Sequence, residues 1–263
     1  MAWPVLVFDI ESIPDVNGLR ALGAHAPDAS DADVHAARKT QRSAAGKSDF
    51  MPLHLQRILC ISMVFRDATG LKVHSLVDRD GTSEGRLIQQ FFTTVERKVP
   101  QLVSWNGAGF DLPVLHLRGM VHGVQASQYW DMGEGGDTNS REFKWNNYIS
   151  RYHLRHIDLM DLLSMYQARA SAPLDAMAKL CGFPGKLGMD GSQVYSAYLD
   201  GKTEDIRRYC ETDVMNTYLL YCRFQKMRGG LNEAEYEQEI KFVKETLANV
   251  DEPHWAEYLA AWQ

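Results

Sequence analysis

The stretch VLVFDIE, residues 5–11, constrains the fold more than any other part of the sequence. Its run of apolar residues without helical spacing is typical of a buried strand, and in a strand residues i and i+2 point to the same side. Asp9 and Glu11 are therefore predicted to face one way where the strand ends. Two like charges held that close repel unless a positive group lies between them or one is protonated. A strand that runs out into a polar turn at Pro14 and Asp15 also explains the pattern.

Composition bounds the class of protein. The 263 residues and their apolar content suffice for one large domain or two small ones, and the formal net charge is −6. An acidic chain is not expected to hold nucleic acid by bulk electrostatics, although a local basic patch or bound cations would permit it. The cysteines form no CxxC pair and no zinc spacing, so we expect reduced thiols. With neither a signal peptide nor a membrane span in the pattern, we predict a cytoplasmic protein without membrane contact.

The rest of the chain alternates between strand-like and helix-like segments. Strands are predicted at 58–65, 71–77 and 102–105 and within 156–166. Helices are predicted at 83–99 with Ser83 as the cap, after Asp111, at 174–181, from about 202 through 227, and twice more before the end. Leu19 to Asp49 reads as an insertion or loop, with short helices as the alternative, and we assign no chemistry to it.

Two later segments add further acids. LVSWNGAGFD places Asp111 after a predicted strand and a glycine turn, where a plain N-cap would also explain it. In YCETD, Tyr209 and Asp213 are four residues apart on a predicted helix, so they share one face, one turn from each other. Taken alone, that spacing also suits an amphipathic helix with a packed tyrosine and a solvated acid.

In combination, FDIE, NGAGFD and YCETD resemble the three motifs of the DEDD superfamily of 3′→5′ exonucleases. The Y-x-x-x-D spacing of Tyr209 and Asp213 matches the Tyr-containing branch, whereas the sister branch would need His at the position of Arg208. The chain looks most like the predicted exonucleases related to the proofreading domain of family-B DNA polymerases, over most of residues 3–228. No polymerase domain follows the motifs, so we expect a stand-alone nuclease.

The resemblance implies an α/β, ribonuclease-H-like fold with a mixed five-stranded sheet flanked by helices, here with extra C-terminal helices. It implies an exonuclease domain over residues 1–228, and we expect 229–263 to be a helical extension of it. It further implies two divalent metal ions, Mg²⁺ or Mn²⁺, because hard cations prefer carboxylate oxygens. The implied ligands, which are also the catalytic acids, are Asp9, Glu11, Asp111 and Asp213.

The same resemblance implies roles for the neighbouring residues. Tyr209 is expected to orient the attacking water, because a phenol with a pKa of about 10 is a poor base at neutral pH. Contacts to the terminal nucleotide are implied for Ser12 and Ile13, and Asn106 and Phe110, which flank Asp111, are expected to line the same substrate-binding pocket. The expected reaction releases nucleoside 5′-monophosphates from the 3′ end of single-stranded DNA or RNA. An inactive binding or interaction module on the same fold is the alternative.

Two regions remain open in the sequence. The aromatic and basic segment 129–152 suits either a stacking surface for bases or a cover over the core. In the last helix, Trp255, Tyr258 and Trp262 suit docking onto the domain, and a homodimer or a protein partner suits the C-terminal helices equally well.

Overall fold

The computed structural model describes residues 4–23, 28–134 and 138–262. Its sheet has the order β3-β2-β1-β4-β5, with β1 at the centre. The strands are β1 Val5–Pro14, β2 Gln56–Asp67, β3 Gly70–Val77, β4 Gln101–Ser104 and β5 His156–Asp158. β1 pairs antiparallel with β2 and parallel with β4, while β2–β3 is antiparallel and β4–β5 is parallel. This mixed, helix-flanked sheet confirms the predicted α/β, ribonuclease-H-like fold.

The helices of the described part of the chain include the six predicted ones, in the predicted order, together with five others. They are α1 Val16–Leu22, α2 Asp31–Ala44, α3 Glu84–Lys98, α4 Asp111–Val121, α5 Thr138–Trp145, α6 Leu159–Leu163, α7 Leu174–Leu180, α8 Val194–Leu199, α9 Thr203–Met227, α10 Glu233–Ala248 and α11 Pro253–Ala260. The five others are α1, α2, α5, α6 and α8. The region predicted as an insertion or loop, 19–49, contains α2 and the end of α1, and its residues 24–27 lie outside the described residues. Ser83 stands at the N-cap of α3, as predicted, but its side chain makes no capping bond and donates instead to Asp80.

The two faces of β1 pack against different helices. Leu6, Phe8 and Ile10 belong to the apolar cluster that contains the inner residues of α3 and α4. Val5 and Val7 belong to the cluster built around α9. Because side chains alternate along a strand, Asp9 and Glu11 continue the α9 face. Their predicted common side is therefore confirmed, and it is the side covered by the helix that carries Tyr209 and Asp213.

The C-terminal helices dock on the same core. Trp255 and Tyr258 of α11 are buried in the α9 cluster, and the ring of Trp262 packs edge-on against Phe183. The Tyr258 hydroxyl donates a hydrogen bond of 2.8 Å to Asn216 Oδ1 on α9. Of the two readings of the last helix, docking onto the domain is the one that the structure shows.

The aromatic segment 129–152 divides into buried and exposed residues. Tyr129 and Tyr148 are buried and stacked, with ring centroids 5.4 Å apart, and the Tyr148 hydroxyl donates to the carbonyl of Pro100. Tyr148 thus covers the core, and its reading as a stacking platform for bases is wrong. Trp145 and Tyr152, by contrast, are exposed.

Among the described residues there is neither a disulfide bond nor a helix that could span a membrane. All four cysteines lie within them and carry free thiols, as expected from their spacing. Searched over the same residues, the helices include none with the length and apolar character that crossing a bilayer requires.

Candidate active site

The site begins where the β1 ladder becomes irregular. Glu11 still pairs with Cys60 of β2, but the next residue, Ser12, pairs with Ile58, so that Leu59 is the extra residue of a bulge. Bulges bend a strand and re-aim side chains, and they are common beside active sites. Asp9 and Glu11 therefore lie at the end of the regular part of the ladder, and the bulge on β2 follows directly after Glu11.

Asp111 reaches β1 from α4. The N–H of Ile10, the residue between Asp9 and Glu11, donates a buried hydrogen bond of 3.0 Å to Asp111 Oδ1. Asp111 is the first residue of α4, and the N-cap position belongs to Phe110. The N-cap explanation for Asp111 is therefore wrong, because Phe110 holds the N-cap position and the Asp111 carboxylate accepts a backbone N–H of strand β1.

The turn before α4 is held by Asp158 at the end of β5. Its two carboxylate oxygens accept the N–H of Asn106 at 2.9 Å and of Ala108 at 2.8 Å. Asn106 adopts a positive φ of 67°, and a Cβ on Gly107 would lie 2.3 Å from Ser104 Oγ. Glycine is thus required at position 107 for the turn to lie this close to β4. Asp158 also caps α6, because its side chain accepts the N–H of Asp161.

Helix α9 supplies Tyr209 and Asp213, and a lysine joins them. Lys186 Nζ lies 3.0 Å from Asp213 Oδ2 and also contacts the Tyr209 hydroxyl. Its backbone position is fixed by Asn216, whose side chain exchanges hydrogen bonds with both the N–H and the carbonyl of Gly185. Lys186 is absent from the predicted catalytic set. The signal for it in the sequence is a lone lysine in the glycine-rich connection GFPGKLG.

Burial and mutual repulsion dominate the electrostatics of the acids. Burial, followed by the charges of Asp111 and Asp213, raises the pKa of Asp9 well above its usual range. Burial and the charges of Asp9 and Asp213 do the same to the pKa of Glu11. Burial raises the pKa of Asp111 to about 7. Burial also raises the pKa of Asp213, although Lys186 opposes this shift. The protein alone thus disfavours four negative charges here, which is the condition that bound cations relieve.

The donor set fits hard divalent cations. Asp213 Oδ1 is buried and has no hydrogen-bond partner within the part of the chain that the structure describes, so it is an oxygen available to a ligand. One ligand atom from each of Asp9, Glu11 and Cys210 lies within 4.8 Å of the others. Burial, with a contact to Cys60, raises the pKa of the Cys210 thiol, which therefore stays protonated and donates to Asp9 at 3.6 Å. The carboxylates, and not the thiol, are the fitting ligands.

The predicted substrate contacts are spread around this cluster. Asn106 is exposed, and the half-buried Phe110 lies 5.8 Å from the exposed ring of Phe50 between centroids. Ser12 donates to Gln56. Ile13 is buried in a small apolar cluster that includes Tyr209, so it offers no free surface to a nucleotide in this conformation.

Comparison with known proteins identifies one family. The model of that family, described as a predicted 3′-5′ exonuclease related to the exonuclease domain of PolB, matches residues 48–262. The matched range includes Asp111, Lys186, Tyr209 and Asp213, whereas Asp9 lies before its start. No curated protein matches the chain.

Proposed function

Because the chain belongs to the family of predicted 3′-5′ exonucleases related to the exonuclease domain of PolB, we propose that it is a metal-dependent 3′→5′ exonuclease of the Tyr-containing DEDD branch. Its substrate is single-stranded DNA or RNA, and its products are nucleoside 5′-monophosphates. The observation that carries the proposal is the convergence of Asp9, Glu11, Asp111 and Asp213, all with raised pKa values; among the described residues, the buried Oδ1 of Asp213 has no hydrogen-bond partner.

The four carboxylates would hold two divalent cations, Mg²⁺ or Mn²⁺. When bound, such a pair activates a water molecule and neutralises the charge that develops on the phosphate and on the leaving oxygen. The protein contributes a preformed set of ligands: Asp111 is fixed by the Ile10 N–H, and Asp9 and Glu11 are fixed by β1. Cations also remove the repulsion that otherwise keeps these acids protonated.

Tyr209 acts as a donor in this proposal. Burial, followed by the charges of Asp213, Glu11 and Asp9, raises the pKa of the phenol, so its hydroxyl remains protonated at neutral pH. A protonated phenol orients a water molecule or a phosphate oxygen by a hydrogen bond, and it does not remove a proton. This supports the role that the family resemblance implies.

Lys186 contributes a fixed positive charge. Burial opposes its ionisation, but Asp213, Asp9 and Glu11 outweigh burial and raise its pKa, so the ammonium persists at neutral pH. Its contact with Asp213 partly balances the acids. When a phosphodiester enters, the same ammonium is placed to pair with a phosphate oxygen.

The test is cleavage of 5′-labelled single strands, DNA and RNA in parallel, with Mn²⁺, Mg²⁺ or EDTA. We expect a ladder that shortens from the 3′ end only with metal. Asp9→Ala and Asp213→Asn should lower the rate about a thousandfold or more, since two-metal stabilisation contributes several kcal/mol. Asp205→Ala, an exposed acid on the same helix, is the matched control and should keep full activity. Metal-independent products, or equal activity of Asp9→Ala, would reject the proposal, and binding without cleavage would favour an inactive module.

A further inference from the structure

The segment from α2 to Phe50, residues 31–50, is called here the α2 arm. It lies almost entirely before the region that matches the family, which begins at residue 48. It contains the only run of the acidic chain in which four cations occur without an acid: between 34 and 48 the charged residues are Arg38, Lys39, Arg42 and Lys47.

Ring contacts connect the arm to both sides of the carboxylate cluster. On one side, Phe50 packs on Phe110, the residue before Asp111. On the other, His35 meets the ring of Tyr195 edge-on at 4.8 Å, and Tyr195 packs on the apolar cluster that contains Tyr209. The ten helical residues from His35 to Ala44 extend about 15 Å along α2. The arm therefore bridges the acid of α4 and the tyrosine of α9.

One face of α2 combines this contact with positive charge. His35, Lys39 and Arg42 occupy positions i, i+4 and i+7, which share a helix face. Since His35 is directed at Tyr195, Lys39 and Arg42 lie on the side of α2 that faces α8 and the cluster. Arg38 differs, because it lies with Leu19 and Leu55 on the side of α1.

The existing partners of these cations leave them able to bind phosphate. Lys39 pairs with Asp49 at 3.3 Å, and both side chains are about half exposed, so the pair is weak and is readily exchanged. Arg42 donates through Nε to the carbonyl of Ser48, a neutral acceptor, and the charge nearest to it is that of the half-exposed Asp49. The acids at the start of α2 are engaged elsewhere: Asp31 pairs with Arg20, and Asp33 forms the capping box with Ser30.

We propose that the α2 arm binds the substrate strand upstream of its 3′ end, with Lys39, Arg42 and Lys47 on successive phosphates and the exposed ring of Phe50 stacked on a base. The inference rests on the proposed function for the identity of the ligand, a single-stranded nucleic acid. A basic helix face followed by an exposed aromatic ring is the combination that single-strand binding uses. The arm explains how a chain with net charge −6 retains a polyanionic substrate.

The test is binding of a fluorescein-labelled 15-nucleotide dT strand in EDTA, followed by anisotropy between 25 and 200 mM salt. The arm variant carries Lys39→Gln, Arg42→Gln and Lys47→Gln. Its affinity should fall at least about tenfold at 100 mM salt, and the slope of log K against log salt should decrease by about 2, because each phosphate contact on a single strand contributes about 0.7. Unchanged affinity and slope would overturn the inference.

The matched control removes three lysines at the other end of the molecule: Lys226→Gln, Lys241→Gln and Lys244→Gln. These lie on α10 and at the end of α9, and α10 meets the sheet through the ion pair Arg66–Glu239, beside the start of β1 and away from its acids. This control should bind with the wild-type salt slope. Equal losses in both triple variants would mean a nonspecific charge effect and would overturn the inference.

Variants of Phe50 distinguish stacking of its ring on a base from packing of its ring on Phe110. Phe50→Ala and Phe50→Leu should both weaken binding about tenfold, because neither side chain offers an aromatic face to a base. If Leu restores wild-type binding, the ring only packs on Phe110, and the base contact is wrong. Thermal melting verifies that each variant is folded, and Lys47→Gln alone, at an exposed position, should still lower the slope by about 0.7 if the triple variant does not fold.

Cleavage with Mn²⁺ keeps this inference separate from the proposed function. A dinucleotide is too short to reach Lys39, Arg42 and Lys47, so the arm variant, which changes only these three residues, should cleave it at the wild-type rate while KM for the 15-nucleotide strand rises. If the arm variant loses binding but the wild-type protein cleaves nothing, the proposed exonuclease activity is rejected and the inference that the α2 arm binds single strands is supported. If the wild-type protein cleaves the strand and the arm variant has the same KM and the same affinity, the exonuclease activity is supported and the inference about the α2 arm is rejected.

Discussion

The Asp111 carboxylate connects two acid-bearing segments that lie about 100 residues apart in the chain. It accepts the N–H of Ile10, so the position of α4 is fixed to the backbone between Asp9 and Glu11. These acids are buried close together, and the same burial makes their ionisation unfavourable. Their charge therefore depends on pH in the metal-free protein.

We predict that the metal-free protein loses stability as pH rises through neutrality. Burial raises the pKa of Asp111 from its ordinary value of 3.8 to about 7. Between these values the folded state holds a proton that the unfolded state has lost, so this contribution is complete below pH 4 and disappears as pH rises through 7. The melting temperature in EDTA should fall from pH 5 to pH 8, and Mn²⁺ should reduce the fall. Asp111→Asn should flatten the EDTA profile, and a flat wild-type profile would contradict the argument.

Tyr209→Phe should slow turnover by about 10²-fold while KM for a single strand changes little. The substitution removes the hydroxyl that orients the attacking water but keeps the ring that packs with Ile13. Single-turnover rates and KM, measured with Mn²⁺, check this split. Tyr198→Phe, on the neighbouring helix α8, is the control and should leave the rate unchanged. A rate within twofold of wild type for Tyr209→Phe would deny the hydroxyl its role.

At the scale of elements, one buried arginine joins α4 to the segments around β1. Arg118 on α4 donates to Asp15, which follows β1, and donates twice to Glu84 at the start of α3. Glu84 also accepts the N–H of Ile58 on β2. These bonds set the position of α4 relative to β1 and so, with the Ile10 bond, the distance of Asp111 from the other acids.

Arg118→Met should destabilise the protein by about 3–5 kcal/mol, because it leaves Asp15 and Glu84 buried without their partner. Urea unfolding measures this change. Arg151→Met is the matched control: the Arg151 side chain is half exposed in its pair with Asp161, and the loss should stay below about 1 kcal/mol. Similar values for both variants would show that the buried network does not hold α4.

Strand β1 with its two acids, and the common face of Tyr209 and Asp213, are predictable because their signals are local. VLVFDIE shows its strand and its two same-side acids within seven residues, and Tyr209 and Asp213 show their common face within five. Lys186 is not predictable in this way, since its role depends on α9 folding against a connection about 25 residues earlier. The burial of Tyr148 and of Ile13 likewise depends on which distant helix covers each side chain.

At the scale of the whole molecule, the C-terminal helices stabilise the site through their contacts with α9. Tyr258 of α11 donates to Asn216 of α9, and Asn216 holds the backbone of Gly185, the residue before Lys186. Three hydrogen bonds thus connect the last helix to the lysine that contacts Asp213. The helices after residue 229 are part of the packing that positions the site.

Trp255→Ala should cost about 3–5 kcal/mol of stability, because this side chain is almost completely buried between α11 and α9. Trp145→Ala removes the same side chain from a position that is 76% exposed and should change stability by less than about 0.5 kcal/mol. Chemical unfolding of the two variants gives the comparison. Equal, small changes would mean that α11 adds little to the fold.

The central position of β1 has a consequence for the order of events during synthesis. β1 precedes the other described strands in the chain: its parallel neighbour β4 follows about 90 residues later, and α9, which covers its acid-bearing face, later still. Chains grow at roughly 5–20 residues per second. Asp9 and Glu11 are therefore made many seconds before Asp213, and a growing chain cannot bring these acids together before α9 is made.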